Sequence, residues 1–177
     1  MKLLKIIFFP ITLVVMLIKN LIKGIQKKHI GNFFKNLTIS KIDALTGEQF
    51  EDVCKLMFCY AGYNVQKTAA SNDYGADLIL TKKLKIVVQA KLYYKHGVGN
   101  HAVQEVTSAI KYYDAAFGVV ITNWKFTNQA KTMAKIQNVL LIDRGDVLQF
   151  LQDVKSKTKQ SKIFSLEKSL RVEVVEC

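Results

Sequence analysis

Apolar and polar positions recur along this chain with two different periods, and the changes between them mark its elements. Thr46-Gly47-Glu48-Gln49 has the pattern of a capping box opening a helix. Phe50, Val53, Met57 and Tyr60 follow at spacings of three and four, the stripe of an amphipathic helix. Gly62 ends it. Residues 63–68 predict a strand, and Ser71-Asn72-Asp73-Tyr74-Gly75 is a turn cluster. Residues 76–81 and 85–92 predict two strands of an antiparallel hairpin, closed tightly at Lys82-Lys83. A polar loop at 94–100 leads to a helix over 101–113, with Val103, Val106 and Ile110 on one face. Residues 116–122, AFGVVIT, are almost wholly apolar, as in a strand covered on both faces. A helix over 126–137, a strand over 139–143 and a helix over 145–154 complete the pattern. The order α-β-β-β-α-β-α-β-α predicts an α/β domain with a mixed sheet.

Two stretches lie outside that pattern. Residues 6–18, IIFFPITLVVMLI, carry no charge. As a helix they span about 20 Å, short of the roughly 30 Å hydrocarbon core. Snorkelling by Lys5 and Lys19 extends the apolar stretch to residues 3–22. These residues predict an N-terminal hydrophobic helix that either spans a membrane or lies in its interface. The lysines after the run (Lys19, Lys23, Lys27, Lys28) outnumber Lys2 and Lys5, which places the following domain on the cytoplasmic side. At the other end, residues 155–177 read as a solvated basic tail with a candidate strand at 170–175. The expected organisation is thus a membrane segment and basic linker over 1–42, a central domain over 43–154, and the tail.

Charge changes the picture in one respect. The net charge is +12, yet residues 43–154 hold 12 basic and 11 acidic groups. The basicity belongs to the flanks, so any case for a polyanionic partner has to come from a site. The three cysteines, Cys54, Cys59 and Cys177, lack CxxC spacing. They suggest a reducing compartment and neither a disulfide framework nor a zinc site.

Candidate chemistry lies in Val87-Val88-Gln89-Ala90-Lys91. Strand side chains alternate, so Gln89 and Lys91 share a face. If Thr81 pairs with Lys85, Asp77 falls opposite Gln89 on that same face. A two-residue turn would instead set Asp77 opposite Val88 and break the constellation. A carboxylate, an amide oxygen and an ammonium would then converge, and oxygen ligands suit Mg²⁺. Taken singly, Asp77 also reads as a turn aspartate and Lys91 as a snorkelling strand-end lysine. Glu51 alone reads as a helix-surface glutamate.

Asp77…Gln89-Ala90-Lys91 resembles the core of the PD-(D/E)XK nucleases in the variant with glutamine at the middle position. More narrowly it resembles the Mrr-like restriction endonuclease catalytic domain. Thr46-Gly47-Glu48-Gln49-Phe50-Glu51, Asn72-Asp73-Tyr74-Gly75-Ala76-Asp77, Gly118-Val119-Val120-Ile121-Thr122 and Phe126-Thr127-Asn128-Gln129-Ala130 carry the resemblance further, over about residues 43–152. It implies a restriction-endonuclease-like mixed sheet flanked by helices. It also implies metal-dependent hydrolysis of phosphodiester bonds in DNA, with Mg²⁺ or Mn²⁺ as cofactor and no small-molecule cofactor. Asp77 would be the principal metal ligand, with Gln89 where the superfamily has an acid. Lys91 would position the nucleophilic water, and Glu51 would match the family's helix glutamate and supply negative charge to the metal. The turn before Asp77 is poorer in glycine than is usual there, and a hydrophobic segment stands in place of a DNA-specificity domain.

Tyr94, Lys95, His96 and Lys125 are the candidate nucleic-acid contacts, because aromatic and basic groups together suit bases and phosphates. An amphipathic strand end would look the same. His101, like His96, could touch a DNA phosphate, while Asp73 either bonds its own turn or assists at the site, and Gln104 either faces the site or packs at the core's edge. Expected partners are DNA, the membrane through residues 3–22, and a second copy of the chain. The competing readings are a catalytically weak nucleic-acid-binding module at the membrane, a junction or RNA nuclease of the same fold, and an interaction protein whose site is a relic.

Overall fold

The computed structural model describes residues 2–68 and 74–169, with the backbone alone for 2–12, 14 and 169. Helix α1 runs Lys2–Asn36, followed by α2 (Ile39–Asp43) and α3 (Gly47–Tyr60). The predicted capping box is formed: Thr46 Oγ1 accepts from Gln49 N and Gln49 Oε1 from Thr46 N. Gly62, at φ +92°, turns the chain out of α3 in the left-handed region that glycine tolerates best. Strands β1 (Asn64–Lys67), β2 (Leu78–Thr81) and β3 (Lys85–Lys91) form an antiparallel meander. Then α4 (Asn100–Tyr112), β4 (Phe117–Thr122), α5 (Asn128–Ile136) and β5 (Val139–Ile142) extend the sheet in parallel, in the order β1-β2-β3-β4-β5. Helix α6 (Arg144–Ser156), a 3-10 turn (Lys162–Phe164) and α7 (Leu166–Ser169) follow. The predicted element order of the central region is met, and every strand lies within a residue or two of its expected bounds.

Two cores sandwich the sheet. Ile86, Val88 and Ala90 of β3 pack with Phe50, Met57, Phe150 and Val154 from α3 and α6. Val87 and Val120 face Val103, Val106 and Ala130 from α4 and α5. The alternation of β3 thus serves two apolar layers at once. Its Gln89 and Lys91 belong to the α4 side, where polar groups replace the core at the strand's end.

The core also reaches past residues 43–154 in both directions. Phe34 of α1 is fully buried, edge-on to Phe150 with ring centroids 5.1 Å apart. Ile163 and Leu166 are fully buried too, so the tail is packed through α7, contrary to the expected solvated stretch. The anchor is Asp153. Its carboxylate accepts from Gln149 Nε2, Thr158 Oγ1 and Ser161 N, folding the chain back along α6. Burial pushes the Asp153 carboxyl up, but these hydrogen bonds outweigh it and leave it below its ordinary value. From α7, Glu167 Oε1 accepts the amides of Lys83 and Leu84 at 2.9 and 3.1 Å. The tail therefore clamps the turn of the β2–β3 hairpin.

The expected strand at 170–175 and the turn residues Ser71, Asn72 and Asp73 lie outside the described residues. Most of the apolar run at 6–18 falls where only the backbone is described. Among the described residues, no helix is long and apolar enough to cross a membrane.

Candidate active site

The hairpin turn occupies residues 82–84, and Thr81 pairs with Lys85. That register puts Asp77 across from Gln89, as the shared face requires. Asp77 Oδ2 accepts from Gln89 Nε2 at 2.8 Å and from Ala90 N at 2.7 Å. The second bond has a local cause. Asp77 N donates to Val88 O, so Ala90 N points toward where β2 would continue, and the Asp77 carboxylate takes the place of that missing strand. Asp77 and Gln89 are 9% and 5% exposed. A carboxyl group at such depth needs partners, and β3 supplies these two donors.

Lys91 stands two residues on, paired with Thr122 of β4. Its Nζ lies 2.8 Å from Glu105 Oε2 on α4, whose Oε1 faces His101 Nδ1 at 3.2 Å. Glu105 was not among the residues expected from sequence. The signal was present: Glu105 lies three residues after Ala102 and four before Ala109, on the buried stripe of α4. Gln104, its considered neighbour, is exposed. Gly75 explains how the turn reaches the helix. At φ +90°, a Cβ there would sit 2.3 Å from Glu105 O, so only glycine lets the chain before Asp77 close on α4.

Glu51 lies on α3, with Oε2 3.2 Å from Lys67 Nζ. Asp52 holds the same lysine at 3.1 Å. Burial pushes the Cys54 thiol well up, and the negative charges of Asp77 and Glu51 push it further. Glu51 is thus near enough to act on the buried environment behind Asp77, while its carboxylate is engaged elsewhere.

The candidate nucleic-acid contacts occupy two loops that are stitched together. Val98 N donates to Lys125 O and Thr127 N to Val98 O, so the loop carrying Lys95 and His96 and the loop carrying Lys125 form one exposed edge beyond the ends of β3 and β4. Tyr94 is exposed, and its hydroxyl donates to Leu45 O. Behind this edge stands a buried network. Asn123, 1% exposed, accepts from Tyr93 N and donates to Tyr93 O and Asp43 Oδ1. Arg144 grips both oxygens of Asp43 and the carbonyl of Asn123. The Arg144 guanidinium holds the Asp43 carboxyl below the usual carboxylate range. None of these three residues was singled out from sequence. They fix the loops on which the exposed basic groups stand.

Gln89 Oε1 and Glu105 Oε2 are the buried side-chain oxygens without a hydrogen-bond donor among the described residues. For Glu105 Oε2 the Lys91 ammonium is close enough for an ion pair but not in hydrogen-bond geometry. Among the described residues, no group of three or more His, Cys, Asp or Glu gathers to hold a metal. An amide oxygen, however, is an acceptable ligand for a hard divalent cation, and the orphaned Gln89 Oε1 beside Asp77 fits that chemistry.

A mixed sheet between two helical layers, with an aspartate, a glutamine and a lysine on one face of its central hairpin, defines a restriction-endonuclease-like nuclease domain. The sequence profile of the Mrr_cat family, described as restriction endonuclease, matches residues 42–151, and the chain belongs to that family. Among curated proteins none matches the chain significantly. Among solved structures, the DNA modification-dependent restriction endonuclease AspBHI is 17% identical with a TM-score of 0.53, covering 84% of this chain and 40% of its own. AF1548, a protein of unknown function, is 13% identical with a TM-score of 0.51, covering 61% of this chain and 65% of its own. MspJI in complex with a 27-mer oligonucleotide is 18% identical with a TM-score of 0.45, over 86% of this chain and 35% of its own. The chain thus spans less than two thirds of the length of each. For AspBHI and AF1548 the likeness, at these identities, speaks for the fold alone.

Proposed function

We propose that this chain is a metal-dependent endonuclease that hydrolyses phosphodiester bonds in DNA, a type IV, Mrr-like restriction endonuclease held at a membrane surface. The observation that carries the reading is the grip of Asp77 on Gln89 and Ala90, which sets a carboxylate, an amide oxygen and the Lys91 ammonium on one face. Asp77 and Gln89 Oε1 would hold Mg²⁺ or Mn²⁺. When bound, such an ion supplies charge neutralisation at phosphorus and acidifies a water. The chain's residues then have distinct work. Asp77 fixes Gln89 through its amide nitrogen. Lys91 presents an ammonium to the attacking water or the phosphate oxygens. Lys95, His96 and Lys125, on their joined loops, contact the backbone on either side.

Membrane attachment is the less direct part of the proposal. Leu13, Met16, Leu17, Ile18, Leu21, Ile22 and Ile25 of α1 are all exposed, and Lys19, Lys23, Lys27 and Lys28 interleave with them and follow. An apolar helix edged with lysines suits the interface of an anionic bilayer, with the nuclease domain on the cytoplasmic side. Self-association, the remaining expected partnership, is read by sedimentation of the same preparation.

Substitution Lys91→Ala tests the catalytic reading. The variant should bind duplex DNA as the wild type does, with affinity falling steeply as salt rises, and should fail to cleave it. Salt-insensitive binding, or cleavage that survives the substitution, would refute the assignment.

A further inference from the structure

Gln89 Oε1 has no donor among the described residues, and on the same strand face Glu105 Oε2 meets only the Lys91 ammonium, as an ion pair outside hydrogen-bond geometry. Gln89 is nineteen-twentieths buried, being 5% exposed. Its Nε2 donates to Asp77 Oδ2, and among the described residues nothing donates to its Oε1. A buried acceptor left alone is costly, and native proteins seldom leave one so. Glu105 reaches the same strand face from α4, with Oε2 against Lys91, the residue two places beyond Gln89. An amide oxygen and a carboxylate oxygen are both acceptors, so neither satisfies the other. One divalent cation satisfies both, together with Asp77.

We propose that Glu105 is the second carboxylate of the metal site, joining Asp77 and Gln89 Oε1, and that its contact with Lys91 is a resting ion pair which the cation displaces. This rests on the metal-dependent reading above. The position that glutamine leaves uncharged on β3 is then supplied with charge from the helix that follows. Glu51 is the rival carboxylate, paired with Lys67 rather than with Lys91. Cation binding would also free the Lys91 ammonium, so the residue that faces the phosphate becomes available only when the site is loaded.

The test is Mn²⁺ binding by the full-length chain in detergent micelles, followed by the electron paramagnetic resonance signal of free Mn²⁺ and needing no cleavage. Wild type should bind. Glu105→Gln should weaken binding by at least about tenfold, the scale on which groups around a metal act, while Glu51→Gln leaves it little changed. Lys91→Met, which frees Glu105 and removes a positive charge, should bind Mn²⁺ more tightly than wild type, and adding Glu105→Gln should abolish that gain. Glu105→Gln binding as wild type does, or the loss appearing in Glu51→Gln instead, would overturn the proposal. If Glu105→Gln does not fold, Lys91→Met decides: unchanged or weaker binding overturns the assignment. A folded wild type that binds no Mn²⁺ would overturn the metal-dependent reading itself, and this inference with it.

Discussion

The side-chain amide of Gln89 donates to the carboxylate of Asp77 at 2.8 Å, across the hairpin that joins β2 to β3. This bond fixes which end of the amide faces the acid and which faces away. It makes Gln89 a donor to one acid while its oxygen meets no donor among the described residues, a role that no aliphatic or ionised carboxylic side chain reproduces.

Substitution Gln89→Glu should therefore act on stability as well as on cleavage. Two carboxylates would face each other where one donor now stands, and the pair would hold a proton well above the ordinary range. A group whose pKa is raised on folding stabilises at low pH and loses that contribution as pH rises through the folded value. The variant should melt below the wild type at pH 7, recover toward pH 5, and regain stability at pH 7 on addition of Mg²⁺. Melting curves at both pH values, with and without the ion, check this.

Gly75→Ala should be among the most damaging single-methyl changes in the chain. The added carbon would meet the backbone of Glu105, at 2.3 Å from its oxygen and 2.7 Å from its carbonyl carbon, at a φ that alanine resists. Strain and overpacking together should cost about 2–4 kcal/mol. Denaturant titration should show a lower midpoint. Lys91 should lose its partner as α4 moves away.

Phe34 marks where α1 stops being an appendage. Fully buried against Phe150 and near Tyr60, it should cost about 3–5 kcal/mol when truncated to alanine. A fragment beginning at residue 43 would lack it altogether and should show no cooperative unfolding transition, whereas one beginning at residue 26 should.

Acid should loosen the loops behind the site. Because Arg144 lowers the Asp43 pKa, the pair stabilises above the unfolded value near 4, and that contribution is lost as pH falls through the folded value. Asp153 adds to the same trend. Asp43 and Arg144 side chains remain about a third exposed, so solvent screening limits the effect to about 1 kcal/mol. Asp43→Asn should be less stable than wild type at pH 7 and lose less between about pH 5 and pH 3, as melting temperatures across that range would show.

How much of this was legible in the sequence depended on the range of the interaction. The capping box at Thr46 and the strand alternation that sets Gln89 and Lys91 on one face are local and were readable, whereas the hairpin register was left between two alternatives that only the structure decides. Phe34, Ile163 and Leu166 were not, because a lone apolar residue in a lysine-rich stretch carries no period that separates packed from solvated. Glu105 sat in plain view on a helical stripe, yet what it meets is decided by the crossover from β3 through α4. Asp43, Asn123 and Arg144 are 80 and 21 residues apart along the chain, and only the fold brings them together. Glu51 was legible as a residue of the first predicted helix, whereas its ion pair with Lys67 depends on how β1 packs against α3.

The central claim is tested most directly by incubating the full-length chain with supercoiled DNA in Mg²⁺ and in chelator, beside Asp77→Asn. The account expects nicked and linear products with Mg²⁺ for the wild type, none in chelator, and none for Asp77→Asn, whose fold is checked by its melting curve. Cleavage that persists in chelator or in Asp77→Asn, or intact DNA in every arm from a folded wild type, would contradict it.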